Sequence, residues 1–284
     1  MKLKRKRVER DLRDMNEIKL IACDLDGTLL LHGAQACTRK ALELIGELCD
    51  RGIYFVPASG RQYPNLRRLF APVADRLIYL CENGAVVIKD DRAVIKREFP
   101  WELAMEASHA VLEREDCEVL ISGERTSYII PKKDSYRRLL VETVKNDVVV
   151  VKEPEEIPEP IVKVSFYTDP KDRDIAGKAL GGQFAGRLSQ VVSGLEWIDF
   201  TLPGSGKGSA LAELGRKLGI LPGQMAAFGD NENDRTMLEY VGHPYLMREC
   251  NPSMENLKYA ARCSTVEEEL ENLLKKCNGN KKVG

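Results

Sequence analysis

The chain has 284 residues, enough to bury a sizeable core and to form two compact units. Its 43 basic and 44 acidic residues nearly cancel, so no global field argues for nucleic acid or an anionic membrane as partner. Eight scattered cysteines without a Cys-x-x-Cys pair argue against a disulfide framework and for the cytoplasm, and three distant histidines, His32, His109 and His243, argue against a histidine-based zinc site.

The N-terminus opens on Lys2-Leu3-Lys4-Arg5-Lys6-Arg7 and continues with charge instead of an apolar signal region, so residues 1–15 read as a solvated basic tail. Leu20-Ile21-Ala22 reads as a buried strand that runs into Cys23-Asp24-Leu25-Asp26-Gly27-Thr28. Residues 38–50 have helical spacing, with Thr38 as N-cap, apolar Ala41, Leu42, Leu44, Ile45 and Leu48, and Gly52 just past the end. A second strand over 53–58 ends in Ser59-Gly60-Arg61, and a short helix covers 65–70. A third core strand over 77–81 ends in Glu82-Asn83-Gly84.

The middle changes character. Residues 85–88 and 93–97 flank a hairpin turn at Lys89-Asp90-Asp91-Arg92, and strands then alternate irregularly with helices as far as a last hairpin ending near Thr201. In the last third the alternation resumes. A helix over 209–218 is closed by Gly219, and a strand over 225–228 ends in Gly229-Asp230-Asn231-Glu232-Asn233-Asp234. Residues 244–247 are extended, and helices are expected over 236–241, 253–261 and 266–275. No apolar segment is long enough to span a bilayer.

Strands alternating with helices imply right-handed crossovers and a parallel sheet covered on both faces. Such sheets bind ligands at the carboxyl ends of their strands. Asp24, Ser59, Asn83 and Asp230 all fall there. Residues 16–85 and 203–284 therefore form an α/β core, and 86–202 an α+β insert.

Four segments appear in order: Asp24-Leu25-Asp26-Gly27-Thr28, Ser59-Gly60-Arg61, Lys207-Gly208, and Gly229-Asp230 with Asn233-Asp234. With them the chain resembles the haloacid dehalogenase-like phosphohydrolases, and within these the Cof-like branch that carries a large α/β cap. The resemblance covers residues 18–274. It implies a Rossmann-like core with an inserted α+β cap, and coordination of a metal by the main-chain carbonyl of Asp26.

The chemistry is consistent with these residues. Asp24 and Asp26 are two apart, so on a strand their side chains lean the same way and repel unless a cation intervenes. A phosphate monoester dianion repels a carboxylate nucleophile unless positive charge screens its oxygens. Mg²⁺ supplies that charge and prefers hard oxygen ligands, here Asp24, Asp26 and Asp230. Asp24 is the expected nucleophile, forming an aspartyl phosphate, and Asp26 the expected general acid and then base. Thr28, Ser59, Gly60, Lys207 and Asn233 are the expected phosphate contacts. Asp234 orients Lys207 or a metal-bound water. Arg61 and Asn83 are further positions, balanced between ligand contact and local structure. Gly204-Ser205-Gly206-Lys207-Gly208 only looks like a nucleotide P-loop, because the spacing requires glycine at Thr201 and a hydroxyl residue at Gly208.

The expected activity is a Mg²⁺-dependent phosphatase acting on a small phosphorylated metabolite. The alternatives are a phosphosugar mutase, which returns phosphate to the sugar, and a phosphometabolite-binding regulator without turnover.

Overall fold

The computed structural model describes residues 18–279. The basic N-terminal run and Lys281-Lys282 lie outside the described residues. The chain divides into two compact units. The first holds the described residues up to Ser59, Leu69–Tyr79 and those from Lys207 onward; the second holds Gly60–Arg68 and Leu80–Gly206. Among the described residues no helix is long and apolar enough to cross a membrane.

The first unit is built on a five-stranded sheet in the order Ala261–Cys263, His243–Met247, Met225–Gly229, Leu20–Cys23, Tyr54–Pro57. All four pairings are parallel. Parallel strands are buried on both faces and need apolar residues throughout. Leu20–Cys23 and Met225–Gly229 meet that demand, being buried at every position. Register aligns Cys23 with Phe228 on one side and Pro57 on the other. Two further bonds carry the ladder past the strands: Asp24 N–H donates to Phe228 O at 3.0 Å, and Ala58 N–H to Cys23 O at 2.8 Å. Asp24, Ser59 and Asp230 therefore emerge from neighbouring strand ends.

Helix Arg39–Asp50 begins as its sequence predicts, with Thr38 Oγ1 accepting from Ala41 N–H at 2.9 Å and Gly52 at φ +75° beyond its end. Helix Lys207–Leu218 buries Ala210, Leu211 and Leu214. Its second residue is glycine for a steric reason: a Cβ on Gly208 would lie 2.4 Å from the Thr236 main chain. Gly208→Ala is therefore expected to push the helix start off its neighbour. It should cost about 1–3 kcal/mol in urea unfolding and lower turnover through displacement of Lys207.

Two sequence expectations are corrected. Residues 253–261 do not form a helix. Asn251 accepts from Ser253 N–H at 3.1 Å, Pro252–Asn256 makes a short 3-10 turn, and Leu257 leaves helical space at ψ 60°. Ala261–Cys263 then joins the sheet as an edge strand beside His243–Met247. An Asn-Pro turn signal and an open sheet edge outweigh a helix-compatible apolar spacing. The strand Ile78–Cys81 does form, but it pairs in a separate three-stranded sheet with Val86–Lys89 and Arg92–Lys96. The left-handed residues Glu82, Asn83 and Gly84 turn the chain after Cys81.

The second unit is α+β. Its six-stranded sheet runs Ser189–Val192, Trp197–Thr201, Ile161–Thr168, Cys117–Gly123, Ser127–Ile129, Val148–Val150. Its pairings are antiparallel except the last. Helices Trp101–Leu112 and Arg173–Gln183 bury apolar side chains in a core with Val164, Phe166 and Phe200. The hairpin at Lys89–Arg92 turns through Asp90 and Asp91, both at positive φ, which matches the twist of the strands it joins.

Candidate active site

The segment after Leu20–Cys23 folds back on itself. Thr28 N–H and Leu30 N–H both donate to Leu25 O, at 3.1 and 2.7 Å. Gly27 sits at φ +90°, and a Cβ there would fall 2.5 Å from an Asp230 carboxylate oxygen. Only glycine allows that approach without strain. The turn leaves Asp24 buried and Asp26 exposed. Thr28 is buried, and its hydroxyl donates to Asp230 Oδ1 at 2.8 Å.

Lys207 is fully buried at the start of its helix. Its ammonium donates to Asp24 Oδ1 at 2.5 Å and to Asp234 Oδ1 at 2.6 Å. Asp234, also fully buried, uses its other oxygen to accept from the N–H groups of Asp230 and Asn231, at 3.0 and 3.1 Å. One carboxylate thus fixes both the lysine and the loop that carries Asp230. Ser59 is buried at the adjacent strand end, and Asn233 is half-buried beside Asp234.

Asp24, Asp230 and Asp234 each place a carboxylate oxygen within 4.8 Å of the others. Two of the three, Asp24 and Asp234, accept from the Lys207 ammonium. Burial, then repulsion from Asp234, raises the Asp24 carboxyl well above the usual range, against the opposing pull of Lys207. Burial, then Asp234, pushes Asp230 up to about 6. Burial pulls Lys207 down, but Asp234 and Asp24 outweigh it and hold the ammonium above the ordinary lysine value. The cluster is short of positive charge, and its donors are all hard oxygens. That is the donor set a divalent ion such as Mg²⁺ fits.

A raised carboxyl has a measurable consequence. The folded chain binds the Asp230 proton more tightly than the unfolded chain, so stability from this group is present at low pH and lost as pH rises. Metal-free protein is expected to lose on the order of 2 kcal/mol between about pH 4 and pH 6 from Asp230. Urea unfolding in chelator across that range should show the slope, and Asp230→Asn should reduce it, leaving the part that the raised Asp24 carboxyl contributes.

Gly60, Arg61 and Asn83 fall in the second unit. Arg61 donates to Asn65 Oδ1 at 3.2 Å, and Asn83 Nδ2 to Asp199 Oδ2 at 2.7 Å. Sequence reading passed over Lys163, Glu82 and Asp199, which form a buried ion cluster around Asn83. The signal was a charge inside an apolar run, in Ile161-Val162-Lys163-Val164 and Trp197-Ile198-Asp199-Phe200.

The family model of haloacid dehalogenase-like hydrolases matches residues 21–270, spanning every segment that builds this site. The chain belongs to the haloacid dehalogenase-like hydrolases. Among the proteins it is similar to, the 5-amino-6-(5-phospho-D-ribitylamino)uracil phosphatase of Escherichia coli is 26% identical over 230 residues, covering 81% of this chain and 85% of its own. The HMP-PP phosphatase of Serratia proteamaculans is 26% identical over 243 residues, covering 84% and 87%. A crystal structure of a Streptococcus mutans protein superposes with a TM-score of 0.78 at 26% identity, over 90% of this chain and 99% of that one.

Proposed function

We propose that this haloacid dehalogenase-like hydrolase is a Mg²⁺-dependent phosphatase, working in the cytoplasm on a small phosphorylated metabolite through an aspartyl phosphate on Asp24. One observation carries the reading: Asp24 stands beside Asp230 and accepts the Lys207 ammonium at 2.5 Å, with Asp26 exposed two residues on. The two named phosphatases among the relatives support a phosphorylated small molecule as substrate.

Asp24 and Asp230 would hold the ion by carboxylate oxygens, with the Asp26 carbonyl as a further ligand. Bound there, it would neutralise the phosphoryl oxygens that otherwise repel an anionic nucleophile. The chain's own residues do the rest. An Asp24 oxygen attacks phosphorus, the bond from phosphorus to the ester oxygen breaks, and Asp26 gives its proton to the departing alkoxide. Water then attacks the aspartyl phosphate, Asp26 takes up the water proton, and the Asp24–phosphorus bond breaks to release inorganic phosphate. Lys207 offsets charge gathering on the phosphoryl group, and Asp234 keeps that ammonium aimed. Ser59 binds a phosphoryl oxygen, as do Thr28, Gly60 and Asn233. The α+β unit serves as the cap that excludes water and selects the leaving group.

The test is phosphate release by the full-length protein over a panel of sugar, polyol and cofactor phosphates, with Mg²⁺ and with chelator. Release that chelator abolishes is the expected result. Isomerised phosphosugar without free phosphate would assign a mutase, and tight binding without turnover a regulator. Asp26→Asn gives a sharper check. Its turnover should fall by roughly 10²–10⁴ for alkyl phosphates, whose leaving groups need a proton. For p-nitrophenyl phosphate the loss should be much smaller, and equal losses would count against proton transfer by Asp26.

A further inference from the structure

Asp230 is held at three points, and one of them comes from outside the four motifs. Its N–H donates to Asp234 Oδ2 at 3.0 Å, and the Thr28 hydroxyl donates to its Oδ1 at 2.8 Å. Its main-chain carbonyl accepts from Asn251 N–H at 2.8 Å. All of these residues belong to the first unit. The peptide groups on both sides of the Asp230 Cα are therefore tied down. Each is planar, so two fixed planes fix the Cα between them and the direction of its Cα–Cβ bond. The carboxylate keeps only its two side-chain torsions, and the Thr28 hydroxyl takes these up.

Asn251 lies just past strand His243–Met247 and is exposed, but the turn it opens is anchored. Met254 is fully buried and Leu257 nearly so, and Arg248 N–H donates to Cys263 O of the edge strand at 2.9 Å. An asparagine that only opened a turn would use its side-chain oxygen, which here accepts from Ser253 N–H at 3.1 Å and Ser253 Oγ at 2.8 Å. Asn251 does more. Its Nδ2 donates to Asn231 Oδ1 at 3.0 Å, an oxygen that also accepts from Glu232 N–H at 2.8 Å. Arg235 adds a second tie between the same two segments. It donates to both Glu232 carboxylate oxygens at 2.9 and 3.0 Å, to Ser253 O at 2.8 Å and to Asn256 Oδ1 at 3.0 Å.

We infer that the turn after His243–Met247 steadies the seat of the ion: Asn251, through its main-chain N–H, is a positioning residue that sets the direction of the Asp230 carboxylate. The inference rests on the reading of Asp230 as an ion ligand. Asn251 acts on the ion only through Asp230.

The experiment measures Mg²⁺ affinity of the full-length protein, by titration calorimetry and by the rise in melting temperature with added Mg²⁺. Asn251→Pro replaces the hydrogen that meets Asp230 O with a ring methylene. The backbone there, at φ −55° and ψ 132°, suits both proline and a residue that precedes proline, here Pro252. Asn251→Ala keeps the N–H and removes the side chain, so it reports the loss of the turn cap and of the Asn231 bond alone. Melting in chelator verifies the fold of each. Asn251→Pro should weaken Mg²⁺ binding about tenfold, the scale of a lost outer partner of a metal ligand, and Asn251→Ala by less than about threefold. On the Asp230→Asn background, Asn251→Pro should add less than about twofold, because its route is already cut. Reciprocity gives a second measurement that needs no change at position 251. Mg²⁺ should slow amide hydrogen exchange at Asn251 in wild type and not in Asp230→Asn. A folded Asn251→Pro with wild-type affinity, equal losses in the two Asn251 variants, losses that multiply fully with Asp230→Asn, or exchange at Asn251 indifferent to Mg²⁺ overturns the inference and leaves Asp230 as a ligand. Unchanged Mg²⁺ affinity in Asp230→Asn alone overturns both.

Discussion

Asp24→Asn is expected to remove turnover, by roughly 10⁴-fold or more, and to leave the protein folded and no less stable. The loss follows from chemistry, since a neutral amide neither attacks phosphorus nor forms an acyl phosphate that water can cleave. Retention of the fold follows from electrostatics. Asp24 is one of three clustered carboxylates and one of the two that accept from the buried Lys207 ammonium, and its burial is what raises its carboxyl. Taking away one negative charge leaves Lys207 still paired with Asp234 at 2.6 Å. The amide oxygen can still accept from Lys207. In metal-free buffer the variant should melt at or above the wild-type temperature, as expected where a site holds charge at the expense of stability. Phosphate release over time, together with thermal melting in chelator, measures both halves. Activity within tenfold of wild type would remove Asp24 from the role of nucleophile, whatever the fold does.

What could be read from the sequence divides along a physical line. The strand ends bearing Asp24 and Asp230 were legible because a parallel strand must be apolar until it stops. The first polar residue after Leu20-Ile21-Ala22-Cys23 therefore marks the sheet edge. The tie between Lys207 and Asp24 was not legible from spacing alone, because it joins residues far apart in the chain. Only the order of four motifs put them in one site. The commitment of the Thr28 hydroxyl to Asp230 was equally hidden, since a threonine after Asp-Gly can turn either way. The edge strand Ala261–Cys263 was missed because its three residues carry no alternation, and the neighbouring strand decides its state. The cluster around Lys163 was missed for the opposite reason. One charge in an apolar strand reads as a surface position until the residues that neutralise it, contributed by separate segments, are seen together.

The second large effect is expected at Lys207, where stability and turnover separate by choice of substitution. Lys207→Met deletes the ammonium and leaves Asp24 and Asp234 buried with no cation between them. Removing one partner of a buried pair costs about 3–5 kcal/mol. A drop in activity there would mix unfolding with chemistry. Lys207→Arg keeps the charge, but a planar guanidinium cannot place one nitrogen at both 2.5 and 2.6 Å from the two carboxylates. It should stay folded and lose roughly 10²-fold in turnover, the scale of one displaced charge-stabilising donor. Magnesium provides the internal control. If the acidic cluster is the ion's seat, added Mg²⁺ replaces part of the missing positive charge, and Lys207→Met should gain more in melting temperature from Mg²⁺ than wild type does. The wild-type cluster already has its ammonium, so the ion has less repulsion to relieve. Equal gains in the two proteins would place the ion elsewhere, and the reading of Asp24 and Asp230 as its ligands would fall with that result.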